Sequence, residues 1–113
     1  MKDDATLIHD DPRMEALRTR YAASLPDKRA ALLAAWQAWR ASDDAPAYLR
    51  ELATQAHRLA GSAGSYGYDE LGASASALDR LVASLPHAPG DTARLDDAVR
   101  ALLAAIDAAQ TQR

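Results

Sequence analysis

The sequence predicts an all-α fold: an antiparallel up-down-up-down four-helix bundle with an additional short helix at the N-terminus. Three observations point there. Apolar residues recur at helical spacing along the chain, and no alternating strand pattern competes with them. Hydrophobic residues make up 49% of the sequence, much of it alanine, with only 5% aromatic and no phenylalanine. Such small side chains suit closely packed helices better than a sheet. The breaks between periodic stretches are short, which favours neighbouring helices that run up and down.

Each element has its own signals. Residues 1–10 are expected to be loosely ordered, although Leu7 and Ile8 could pack. In "DDPRMEALRTRYAASL", Asp11 can cap a first helix and Pro12 suits a first helical position. Met14, Leu17, Tyr21 and Leu25 form its stripe. Pro26 is expected to end that helix and start a second one running to about Ala41, with Leu32, Leu33, Trp36 and Trp39 inward. "SDDAP" reads as a turn, with Asp43 or Asp44 as cap and Pro46 in the next first turn. The third helix extends to about Ser65 and turns Leu49, Leu52, Ala53, Ala56, Leu59, Ala60 and Ala63 inward. Gly67 marks its end. A fourth helix over about 68–85 carries Leu71, Ala75, Leu78, Leu81, Val82 and Leu85. Its stretch 72–77 is all Gly, Ala and Ser, so a neighbouring helix can come close. "PHAPGD" is a loop, and Asp91 caps the last helix, whose stripe is Leu95, Ala98, Val99, Leu102, Ile106 and Ala109.

The bulk properties exclude several functions. A chain of 113 residues makes one domain with one core. Thirteen basic and 16 acidic residues leave a formal charge of −3, without the basic excess of a general nucleic-acid binder. The absence of cysteine removes disulfides, thiolate chemistry and Cys-based zinc sites. No apolar run approaches the ~20 residues of a membrane span, and the acidic start "MKDDATLIHDDP" lacks a signal-peptide core. A soluble cytoplasmic protein is expected. No GxxxxGK phosphate loop is present.

One stretch carries chemistry: "AHRLAGSAGSYGYDEL", residues 56–71, where His57 lies among Gly61, Gly64 and Gly67. At about 100° per residue, His57 sits about 100° from the centre of its helix's apolar stripe, at the solvent border. Gly61 and Gly64 follow on the same side, Arg50 precedes near that side, and Arg58 is adjacent in sequence. The imidazole thus stands on a ridge with nothing tall on its C-terminal side, clear for a large partner. A neutral imidazole has one free lone pair and can act as a nucleophile. Asp79, beside Leu78 at the edge of the next helix's apolar face, is placed to orient it. The residues alone also allow a tolerated border histidine with glycines that serve helix packing. Other constellations are weaker. His9, His57 and His87 are far apart for a metal site. Ser62, five residues from His57, does not face it, which leaves no nucleophile–base pair. Trp36 and Trp39 read as core.

"HRLAGSAGSYGYDEL" resembles the signature of histidine-containing phosphotransfer (HPt) domains of two-component relays. That signature runs His-x-Leu-Lys-Gly-[Ser/Ala]-[Ala/Ser], with a glycine some ten residues after the histidine. His57, Leu59, Gly61, Ser62, Ala63 and Gly67 match, and Leu71 follows where the family starts its next helix. The resemblance covers residues 11–110. It implies that His57 accepts a phosphoryl group through Nε2 from a receiver-domain aspartate and passes it to another receiver aspartate. It further implies response-regulator receivers and a hybrid sensor histidine kinase as partners, Mg²⁺ in the receiver, and no cofactor, nucleotide site or autonomous kinase activity in this chain. A monomer is expected. The sequence departs from the pattern twice. Ala60 stands where the family usually has a lysine, so Arg58, Arg50 or the partner's metal must offset charge. Asp79 stands near where the family often has Glu or Gln. Ala60 favours the alternative of a helical adaptor that binds receiver or kinase domains without phosphorylation.

Overall fold

The computed structural model describes residues 12–41, 46–84 and 91–111. Among them are four α-helices and one 3-10 turn, and no strand. Helix α1 spans Pro12–Ala41, α2 spans Pro46–Ser62, and the 3-10 turn covers Ala63–Tyr66. Helix α3 spans Asp69–Ser84 and α4 spans Asp91–Thr111. Each helix packs on the next, and α4 returns to α1. The expected loose segment 1–10, the Asp11, Asp43 and Asp44 caps, Leu85 and most of "PHAPGD" lie outside the described residues.

The separate N-terminal helix is corrected by the structure. Its residues form the first half of α1, which runs unbroken through Pro26. An interior proline removes one backbone hydrogen bond and costs ~3 kcal/mol or more. Leu25 and Leu32 on either side of it are fully buried, and each such burial is worth about 1.5–3 kcal/mol. One continuous helix keeps both in the core. Pro26 itself is exposed. The expected stripe of the first segment is also only half used: Tyr21 and Leu25 are buried, whereas Leu17 is 39% exposed.

Elsewhere the helical stripes form the core. Leu52, Ala56, Leu59 and Ala63 of α2 and the turn after it meet Leu71, Ala75 and Leu78 of α3. Leu95, Val99, Leu102 and Ile106 of α4 are fully buried. Trp36 is buried and stacks on Trp39 at 5.4 Å, as expected of core residues. On the surface, Arg29 of α1 grips Asp107 of α4 with two hydrogen bonds of 2.7 and 3.2 Å. Arg40 approaches Asp96 at 3.8 Å.

The α2–α3 junction positions the site. The α-helix stops at Ser62, three residues earlier than expected, and tightens into the 3-10 turn. Gly67 then takes φ +88°, a left-handed conformation that side chains disfavour. Its N–H bonds the Gly64 carbonyl, and the Tyr68 N–H bonds the Ala63 carbonyl, both at 3.0 Å. This closure returns the chain into α3. There Gly72 lets the helices approach: a methyl on it would lie 3.6 Å from the Gly64 nitrogen and 3.7 Å from the Ala63 methyl. No helix among the described residues is long and apolar enough to cross a membrane.

Candidate functional site

His57 occupies the border of the buried face of α2, between buried Ala56 and exposed Arg58. Its side chain is 79% exposed. Asp79 occupies the equivalent border of α3, beside the fully buried Leu78. Packing the two inner faces together brings the two borders together: His57 Nδ1 lies 2.9 Å from Asp79 Oδ2. An ionised carboxylate only accepts hydrogen bonds, so Nδ1 carries the proton and donates it. The neutral ring then keeps its lone pair on Nε2.

The glycines flank the imidazole as open surface. A Cβ on Gly61 would meet nothing within 4 Å, and one on Gly64 would meet only Asp69 Oδ1 at 4.0 Å. Gly61 therefore packs against no other helix. Gly64 stands on the 3-10 turn rather than on the α-helix and is also exposed. Close helix approach falls to Gly72 instead.

The other expected residues are less tightly gathered. Arg50 and Arg58 are exposed on α2, and neither makes an ion pair with a described residue. Ala60 is half-buried and leans on the core. Ser62 does not serve His57. Its hydroxyl is 2.9 Å from the Arg58 carbonyl and 2.8 Å from the Tyr21 hydroxyl. Among the described residues, no group of three or more His, Asp and Glu could hold a metal ion. His9 and His87 lie outside them.

The spacing did not reveal the link to α1. Tyr21 stacks on Tyr66 at 4.4 Å and on Tyr68 at 5.9 Å, with Lys28 Nζ 5.3 Å from its ring centre. Burial pushes the Tyr21 hydroxyl pKa up. The available signal was two tyrosines flanking the glycine that ends the site helix. Periodicity identifies the face a residue occupies, not its partner 41 positions away.

The family model for the Hpt domain matches residues 16–110. No curated protein matches the chain, and no solved structure matches it. With a histidine on an open ridge inside a helical fold, and a family match over nearly the whole sequence, the chain belongs to the Hpt domain family, whose members carry out histidine phosphotransfer in two-component signalling.

Proposed function

We propose that this protein is a phosphorelay intermediate that accepts a phosphoryl group on His57 Nε2 from a receiver-domain aspartate and passes it to another receiver aspartate. The observation that carries the reading is the His57–Asp79 hydrogen bond at 2.9 Å, which leaves Nε2 as the basic, exposed nitrogen. The Nε2 lone pair attacks phosphorus in line as the bond from phosphorus to the aspartyl oxygen breaks. The receiver carboxylate leaves as an anion. The Nδ1 proton stays on the ring, which becomes cationic, and Asp79 stabilises that charge. Transfer to the second aspartate runs these steps in reverse. Phosphoryl transfer depends on positioning and charge stabilisation. The receiver's own Mg²⁺ supplies charge stabilisation at the phosphoryl oxygens, and this chain supplies a nucleophile on a fixed helix with an open flank. Arg58 and Arg50 are the cations on α2 that replace the usual lysine, because Ala60 offers no charge.

The proposal extends to the surroundings of the site. The bundle is antiparallel and up-down-up-down. The pairs Arg29–Asp107 and Arg40–Asp96 support this, since residue numbers rise along α1 as they fall along α4. The HPt-like unit spans 11–110, works as a monomer in the cytoplasm and receives its phosphate in a pathway fed by a hybrid sensor histidine kinase. A second reading rests on Ala60: without a lysine there, the protein could bind receiver or kinase domains as an adaptor without being phosphorylated.

Incubation with a phosphorylated receiver separates the two. The relay reading expects acid-labile, base-stable phosphate on the parent and none on His57→Gln, with helicity unchanged. Binding of the receiver without labelling of the parent supports the adaptor. Labelling retained in His57→Gln would remove the assignment.

A further inference from the structure

Ser62 has two hydroxyl contacts and one hydroxyl hydrogen. At 2.9 Å its Oγ donates back to the Arg58 carbonyl, so the Tyr21 hydroxyl, at 2.8 Å, is the donor in their shared bond. A chain of hydrogen bonds thus runs from α1 into the turn of α2 that follows His57. Ser62 is also where that helix changes form. Its φ of −111° and ψ of −33° depart from helical values near −63° and −42°, and a serine bonded to its i−4 carbonyl often bends a helix. The Tyr21 ring meanwhile stacks on Tyr66 and Tyr68, one before Gly67 and one after it. A single α1 residue therefore touches both ends of the segment that carries exposed Gly64.

We propose that Tyr21 is a positioning residue: through Ser62 its hydroxyl holds the α-to-3-10 junction after His57, and so fixes the Gly61–Gly67 ridge against which a receiver docks. The role rests on the phosphotransfer reading above. Ala63, Gly64 and Ser65 carry no side chain long enough to hold the turn from within. Without the Tyr21 hydroxyl, other arrangements of 62–66 become populated, and the apparent affinity for a receiver falls by the fraction of competent molecules. The chemistry at Nε2 is untouched, because Asp79 orients the imidazole from α3.

The test compares Tyr21→Phe, Ser62→Ala, the double variant and Ser62→Thr. Phenylalanine keeps the stacked ring and removes only the hydroxyl. The half-saturating receiver concentration is expected to rise about fivefold in Tyr21→Phe, equivalent to about 1 kcal/mol for one lost hydrogen bond. Ser62→Ala is expected to match it, the double variant to add nothing further, and Ser62→Thr, which keeps a hydroxyl, to stay near the parent. Labelling by phosphoramidate, which needs no docking, is expected to change less than about twofold on the same argument. Amide hydrogen exchange is expected to quicken over residues 62–67 in Tyr21→Phe and not in α4. Parent-like receiver dependence and exchange in Tyr21→Phe would overturn the proposal, as would strictly additive effects of the two single changes. Loss of receiver-independent labelling alongside receiver-dependent labelling would overturn it too, since that places the defect in the chemistry. A parent that takes no phosphate defeats the relay reading and this role with it, while localised quickening of exchange would still report the Tyr21–Ser62 coupling.

Discussion

A neutral imidazole has one protonated and one basic nitrogen, and only the basic one can attack phosphorus. At His57 the choice falls to Asp79, through a bond of 2.9 Å. Replacing Asp79 with Asn keeps the size but removes the charge, and the amide nitrogen can donate to Nδ1 and favour the wrong tautomer. Loss of a charged hydrogen bond of about 2 kcal/mol corresponds to roughly 30-fold in rate. Asp79→Asn is therefore expected to slow labelling of His57 by about that factor, from a receiver and from phosphoramidate alike, with an unchanged circular dichroism spectrum. A second residue-scale expectation concerns charge. Arg58→Ala is expected to slow receiver-dependent transfer about two- to fivefold, since an exposed charge is screened. Ala60→Lys in that background is expected to restore part of the rate, its stem lying on the core that Ala60 already touches and its amine reaching water. Equal rates in all three proteins would show that positive charge on α2 is unimportant. The pairing of His57 with Asp79 was legible in the sequence because both residues border apolar stripes. The Tyr21–Ser62 bond was not, because Tyr21 read only as a core residue and no shared stripe border joins it to Ser62, 41 positions away.

At the scale of the element, α2 is built to be bare beside its histidine. Gly61 faces open space, so a longer side chain there is free to improve the helix by up to about 1 kcal/mol. Gly61→Gln is expected to melt at or a few degrees above the parent temperature, yet to lose at least about tenfold in receiver-dependent labelling, a loss near 1.4 kcal/mol of docking. Phosphoramidate labelling is expected to fall much less. A lower melting temperature would mean that the glycine serves packing after all. The stripes of α2, α3 and α4 were legible because a helix of 3.6 residues per turn keeps bringing the same side to the core, and that side is apolar. The end at Gly67 was legible because a left-handed position favours glycine. Pro26 misled because a local rule lost to tertiary packing: burying Leu25 and Leu32 in one register outweighs one missing backbone hydrogen bond. The early end of α2 at Ser62 escaped for a related reason, since the hydroxyl that Ser62 meets there belongs to a tyrosine on another helix.

For the whole molecule, the helices form a scaffold that presents the exposed imidazole of His57, held on its Nδ1 side by α3. Ring closure between α1 and α4, with Arg29 and Asp107 across it, fixes the far side of the bundle. On the proposed mechanism nothing in this architecture needs to move for transfer. The receiver comes to the ridge, and the phosphoryl group passes to the nitrogen that Asp79 leaves free. The most direct measurement is nuclear magnetic resonance on protein carrying ¹⁵N-labelled histidine, after phosphorylation by a receiver. The account predicts phosphorus bonded to Nε2 of His57, with the proton retained on Nδ1. Phosphorus on Nδ1, on His9 or on His87, or a His57 that stays unmodified while the receiver loses its phosphate, would contradict it.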